Sequence, residues 1–115
     1  MLLKLREKYN VYLLSNTNHL HIQWIHRYME RTYEDRNWEK RYFDGVYYSH
    51  DIGARKPDEA IFKHVMEDAF LTPVKTLFID DMQVNIDTAN RLGFGTKLLG
   101  PDEEVAEYLK IESFY

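Results

Sequence analysis

The sequence predicts an α/β domain of the doubly wound kind, built on a parallel sheet, and three observations carry that reading. Short apolar runs alternate with longer stretches of helical periodicity along the whole chain. The runs Val11-Tyr12-Leu13-Leu14 and Leu77-Phe78-Ile79 are unbroken rather than alternating, as expected of strands covered on both faces. Polar groups gather where the strands stop or in the loops that follow: Ser15 with Asn16, then Lys56, then Asp80 with Asp81.

Residues 1–8 set Leu2, Leu3 and Leu5 among Lys4, Arg6, Glu7 and Lys8, which reads as the last turns of an amphipathic helix opening without a cap. The strand at Val11 is ended by the hydroxyls and amides of Ser15-Asn16-Thr17-Asn18. Residues 19–31 then read as a helix, with Leu20, Trp24, Ile25 and Tyr28 at three- and four-residue spacings and an N-terminus pointing at Ser15. Residues 32–41 are charged and weakly periodic, a loop or a short helix. A second strand is expected at Val46-Tyr47-Tyr48, after Asp44-Gly45, and a loop around Gly53 over residues 49–56.

Pro57 suits the first turn of a helix, Asp58 and Glu59 suit the positive end of its dipole, and Ile61, Phe62, Val65, Met66, Ala69 and Phe70 form one apolar stripe. Leu77-Phe78-Ile79 is the central strand. Because side chains alternate along a strand, Asp80 and Asp81 cannot both continue the pleat, and Asp81 is expected to turn the chain and cap the next helix. That helix covers residues 82–92, carries Val84, Ile86 and Ala89, and stops at Gly93. Lys97-Leu98-Leu99 is a short strand after Gly95. Gly100-Pro101-Asp102 opens a terminal helix with Val105, Ala106, Tyr108 and Leu109 on its inner side.

A chain of 115 residues makes one domain, able to bury roughly two thirds of its unfolded surface. Its formal charge of -4 comes with no basic stripe, so nucleic-acid binding has no electrostatic starting point. The apolar runs are too short to span a bilayer and no leader-like segment is seen, which gives the expectation of a soluble, cytoplasmic protein without membrane contact. The absence of cysteine excludes disulfides, thiolate zinc sites and a Cys nucleophile. Aromatic residues make up 15%, nine of them Tyr, a share that points to surfaces covered by something.

In an open parallel sheet, ligands bind at the carboxyl ends of the strands, where the polar groups fall here. A hydroxyl and backbone amides at a helix N-terminus suit a phosphate, a lysine neutralises it, and paired carboxylates suit magnesium, which keeps several waters. Two carboxylates ~5 Å apart at an effective dielectric of ~20 repel by roughly 3 kcal/mol, so a cation belongs beside Asp80 and Asp81. Each feature has a plainer structural reading: Ser15 as a strand-end hydroxyl or helix cap, Lys56 as a solvated loop lysine, Asp81 as a cap and Asp80 as a polar strand end. Only their joint order favours a site. His19, His21 and His26 lack the i, i+4 spacing of paired ligands and read as surface or packing residues. Trp24, Tyr28 and Trp38 read as cover for the core, and the charges of residues 30–41 as a solvated face.

With these residues in view, the chain resembles the haloacid dehalogenase-like (HAD) hydrolase superfamily, mostly magnesium-dependent phosphatases with a Rossmann-like core. The resemblance spans essentially the whole chain. Val11-Tyr12-Leu13-Leu14-Ser15, followed by Asn16, matches the second motif of that family. Lys56, within Ser49-x-x-x-Gly53-x-x-Lys56-Pro57-Asp58-x-x-Ile61-Phe62, matches the third. Phe78-Ile79-Asp80-Asp81 with Asn85 matches the fourth.

The resemblance implies that Ser15 and Asn16 hold the transferring phosphoryl group, and that Lys56 balances its charge and that of the nucleophile. It implies Asp81 as the principal magnesium ligand in this chain, Asp80 beside it and paired to Lys56, and Asn85 bracing the metal loop. The substrate expected is a small phosphorylated metabolite, or inorganic phosphate as a ligand. The family's first motif, Asp-x-Asp, supplies its nucleophile and its acid-base group, and no Asp-x-Asp occurs in this sequence. Asp35, Asp44 and Asp51 do not provide it. The expectation is therefore a truncated Rossmann-like (HAD-like) fold, the C-terminal portion of such a core, lacking the first central strand and the cap domain. The isolated chain is expected to be inactive, and the alternative is a non-catalytic HAD-fold domain acting as a binding or interaction module. With the central strand absent, the strands at Val11 and Leu77 are expected to pair with each other and the chain to form a homodimer.

Overall fold

The structure, a computed structural model, describes residues 2–17 and 19–111. Met1 and Asn18 lie outside the described residues, as do the side chains of Leu2, His19, His21 and Ala106. The described chain falls into two compact units, one ending at Gly53 and one beginning at Ala54. Its strands are parallel in pairs, so the α/β class read from the sequence holds.

The first unit contains α1 (Leu2–Arg6), β1 (Tyr12–Ser15), α2 (His19–Tyr33), α3 (Trp38–Tyr42), β2 (Gly45–Tyr48) and α4 (Ser49–Ile52). β1 and β2 run parallel, with Tyr12 opposite Gly45 and Ser15 opposite Tyr48. Asp44 sets that register from below: its backbone N–H donates to the Val11 carbonyl at 2.6 Å, and its Oδ2 accepts the Val11 N–H at 2.6 Å. Arg6 ties α1 to the same place, donating to the carbonyls of Lys40 and Arg41 and to Asp44 Oδ1. Gly45 lets Tyr12 pack closely, because a Cβ there would lie 3.2 Å from the Tyr12 ring and push it back by a few tenths of an ångström. Leu5, Ile22, Trp38, Tyr47 and Tyr48 are the buried apolar residues of this unit.

The second unit contains α5 (Glu59–Asp68), a single 3-10 turn (Pro73–Lys75), β3 (Leu77–Asp80), α6 (Gln83–Arg91), β4 (Gly95–Leu98) and α7 (Val105–Ile111). β3 and β4 are parallel, with Leu77 opposite Gly95 and Asp80 opposite Leu98. Phe62, 2% exposed, centres the core and meets Phe78 edge-on at 5.1 Å and Phe94 at 6.2 Å. Burying one such ring contributes about 1.5–3 kcal/mol. Ile61, Val65, Ile86, Ala89 and Leu109 complete the buried set.

Several expectations are corrected. On α2 the inward residues are Ile22, with Ile25 and Met29 half-buried, while Leu20, Trp24 and Tyr28 are exposed; only Trp38 of the expected aromatic cover is buried. Spacing identified the helix, but aromatic weight assigned it the wrong face. The segment after β2 is not all loop, since Ser49–Ile52 makes one helical turn that ends on Gly53 in the left-handed region, φ 79°. Pro57 is not in the first turn of α5: it precedes the cap residue Asp58 and follows a cis peptide bond. Phe70 lies beyond the end of α5 and is 92% exposed, and Val84 is 50% exposed. Within each unit the strand takes the next one in the chain as its parallel neighbour, β1 with β2 and β3 with β4, the usual outcome for strands joined by a helix.

Candidate functional site

In the second unit the residues expected at the site come together. Lys56 Nζ lies 2.7 Å from Asp80 Oδ2, and the two side chains are 11% and 7% exposed. Asn85 Nδ2 donates to the same Asp80 oxygen at 3.3 Å. Asp80 Oδ1 accepts the Met82 N–H at 3.0 Å, closing a turn of the kind in which an aspartate side chain bonds its own backbone two residues on. β3 delivers Asp80 to this point, and α6 delivers Asn85 one turn into the helix. The Lys56 ammonium also stands 5.8 Å from the centre of the Phe78 ring.

Burial alone would raise the Asp80 carboxyl. The hydrogen bonds from Lys56 and from the Met82 backbone, the Lys56 charge and a hydrogen bond with the Asp81 side chain outweigh it and hold Asp80 below the ordinary carboxylate value. The expected cap is corrected here: Met82, not Asp81, is the N-cap of α6, and no side chain caps it. The carboxylate that accepts a backbone N–H at this turn belongs to Asp80, because that donor lies within its reach two residues on. Asp81 is left exposed to solvent.

In the first unit, Ser15 ends β1 and Asn16 follows it, both half-buried. The parallel register sets Ser15 beside Tyr48, so the loops leaving β1 and β2 start at the same edge. Ser49 fastens them together. Its Oγ accepts the Thr17 N–H at 3.0 Å and lies 3.0 Å from the Thr17 carbonyl oxygen, while His50 Nδ1 approaches that oxygen at 3.2 Å.

Ser49, Thr17 and the buried Thr88 were not among the residues singled out from the sequence. Thr88 carried a usable signal: with Asn85 it is a polar residue within the apolar face of α6, where Ile86 and Ala89 are also buried. Ser49 stood in the sequence only as the first residue of the third-motif pattern, with no role read for it. Of the three histidines set aside earlier, His26 is described and is a packing residue, accepting from Trp38 Nε1 at 3.1 Å.

Oxygen donors dominate the second-unit cluster. Among the described residues no group of three or more His, Cys, Asp and Glu side chains converges as a metal-binding set. Asp80 and Asp81 are neighbouring carboxylates at the end of β3, however, and a cation beside such a pair offsets their mutual repulsion. A hard divalent ion that takes few protein oxygens and keeps its waters fits that donor set. Among the described residues, no helix is long and apolar enough to cross a membrane.

Comparison with known proteins agrees with the geometry. The family model for haloacid dehalogenase-like hydrolases matches residues 1–93. A D-ribitol-5-phosphate phosphatase of Bacteroides thetaiotaomicron is 39% identical over 95 residues, covering 83% of this chain and 45% of that protein. The crystal structure of a HAD family enzyme from the same organism, in complex with magnesium and inorganic phosphate, is 40% identical with a TM-score of 0.83 over 93% of this chain and 53% of that one. A predicted HAD-like family hydrolase from Porphyromonas gingivalis is 34% identical, TM-score 0.80, over 96% of this chain and 54% of that one. The chain thus spans about half the length of the relatives it matches. On the family match and the shared fold together, the chain belongs to the haloacid dehalogenase-like hydrolases.

Proposed function

We propose that this chain supplies the charge-balancing and metal-holding part of a magnesium-dependent phosphatase acting on a small phosphorylated metabolite. The observation that carries the reading is the Lys56–Asp80 pair, held at 2.7 Å with Asp81 exposed beside it. The Bacteroides relatives, a D-ribitol-5-phosphate phosphatase and an enzyme solved with magnesium and phosphate, support the reaction class and make polyol phosphates the first substrates to try.

Each residue has a role in this reading. Ser15 Oγ and the groups of Asn16 donate to phosphoryl oxygens, and Ser49 keeps their loop in place through Thr17. Lys56 offsets negative charge on the phosphoryl group, and Asp80 keeps its ammonium from swinging into solvent. Asp80 has Lys56 and Asn85 on one oxygen and Met82 N–H on the other, so Asp81 is the principal ligand to magnesium and Asp80 the secondary one. When bound, magnesium would screen the oxygens of the phosphoryl group and so favour attack on phosphorus.

No Asp-x-Asp occurs in the 115 residues, so the chain carries no nucleophile of the family pattern. By itself it is a binding domain, the C-terminal portion of the HAD core, and not a catalyst. That feature also favours the second reading, a HAD-fold module that binds phosphate or a partner without chemistry. The test is hydrolysis of a panel of small phosphate monoesters by the purified chain with magnesium, first alone and then fused to an upstream strand bearing Asp-x-Asp. Turnover only in the fused form, abolished by Asp81→Ala, supports the phosphatase reading. Binding of phosphate with no turnover in either form supports the module. Robust magnesium-dependent turnover by the unfused chain would overturn the assignment of roles.

A further inference from the structure

We propose that Thr88 is a positioning residue for Lys56, an inference that rests on the reading of Lys56 as the charge-balancing group. Thr88 lies on α6 three residues beyond Asn85, on the same face of the helix, and is 1% exposed. A hydroxyl buried that deeply needs partners, and it has them on both sides. Its Oγ1 is 2.7 Å from the Pro57 carbonyl oxygen and 3.3 Å from that of Val84, and Arg91 donates to it from Nη2 at 3.1 Å. A threonine hydroxyl has one proton to give. The shorter contact takes it, so the bond goes out to Pro57 and not back along the helix.

Pro57 is the residue directly after Lys56. Its carbonyl is a backbone acceptor one residue from Lys56, and the bond to it fastens that stretch of main chain to α6. The same helix holds the other member of the ion pair through Asn85 and Asp80 Oδ2. Both partners are thus referenced to one rigid element: the carboxylate by a side chain, the lysine by its backbone. Lysine has a flexible four-carbon stem, so its ammonium is placed only as well as its Cα. Arg91, whose Nε lies 3.7 Å from Glu59 Oε1 in the first turn of α5, keeps the hydroxyl oriented by occupying its lone pair.

The test uses the whole chain with lysine ε-methylenes carbon-labelled, and compares wild type, Thr88→Val and Thr88→Ser by NMR relaxation. Valine keeps the volume and removes the donor; serine keeps the donor. The expected result is a loss of order at the Lys56 ε-methylene in Thr88→Val while the other lysines are unchanged, with recovery in Thr88→Ser. In the same samples, inorganic phosphate is expected to bind about fivefold more weakly to Thr88→Val, the factor a net hydrogen bond is worth, and to regain its affinity with serine. Unchanged Lys56 order in Thr88→Val, or an equal loss at every lysine, would overturn the proposal. Thr88→Ala carries the same expectation should the valine variant not fold, and failure of both beside a folded Thr88→Ser would show a folding role and overturn it too. Lys56 loosening with no phosphate affinity in any variant would support the positioning role and instead count against the functional reading.

Discussion

Lys56 and Asp80 form an ion pair of 2.7 Å whose side chains are almost out of solvent, and α6 braces the carboxylate through Asn85. Taking two charges from water is costly, and the pair repays that cost only while both members are present and hydrogen-bonded. Under the proposed function, its place at the end of β3 sets the Lys56 ammonium to meet a phosphoryl group.

Breaking the pair on one side is expected to destabilise the chain. Lys56→Met leaves Asp80 charged without its cation, at a cost of about 3–5 kcal/mol. Asp80→Asn removes the charge but keeps the acceptor for Met82 N–H, so it costs less. The double variant should be more stable than the sum of the two predicts. Urea unfolding at neutral pH checks this, and strict additivity of the two single effects would contradict a coupled pair.

Much of this arrangement was legible in the sequence, for identifiable reasons. Asp80, Asp81 and Asn85 stand close together in the chain, so strand-then-helix geometry dictates their proximity. Lys56 was placed by order alone and its partner by family resemblance. The side of α2 facing inward was misread because Leu20, Trp24 and Tyr28 also fall at helical spacings and are large, yet a helix face is chosen by what packs against it. The bonding roles of Ser49 and Thr88 were invisible for a different reason. Their bonds run to backbone atoms of Thr17 and Pro57, 32 and 31 residues away, and a backbone acceptor leaves no mark in the residue types.

Magnesium is expected to bind the isolated chain only in the millimolar range. Asp80 is already engaged at both oxygens, so Asp81 provides most of the protein contact and the ion stays largely hydrated. Titration followed by amide NMR should show shifts confined to residues around Asp81, lost in Asp81→Asn. Micromolar affinity would mean that further ligands exist.

Self-association is expected as well. Within its own unit each sheet has two strands, β1 with β2 and β3 with β4, and two-stranded sheets are marginal in water. Leu20, Trp24 and Tyr33 add exposed apolar area at 75%, 56% and 63%. Sedimentation velocity at tens of micromolar should reveal a dimer, with an unfolding midpoint that rises with concentration. A monodisperse monomer with a concentration-independent midpoint would exclude it.

The last expectation concerns alkaline pH and comes from Tyr48, 5% exposed in the first unit. Burial, the hydrogen bond to Glu39 Oε2 at 2.5 Å, and the negative charges of Glu39 and Asp51 all push its phenol well above the ordinary value. Glu39 is held in turn by His26, whose Nε2 lies 3.4 Å from Oε1. A pKa raised by folding means that the native state keeps its proton where the unfolded chain loses it. The associated stability is fully present below the unfolded phenol value of about 10 and is lost as pH rises from there toward the folded value. Tyr48→Phe should cost about 1–2 kcal/mol at neutral pH through the lost hydrogen bond to a carboxylate. Its disadvantage against wild type should then shrink from about pH 10 upward, because phenylalanine has no proton to release. Urea midpoints measured for both proteins from neutral to strongly alkaline pH decide the matter: parallel curves across that range would show that Tyr48 titrates alike in the folded and unfolded chain.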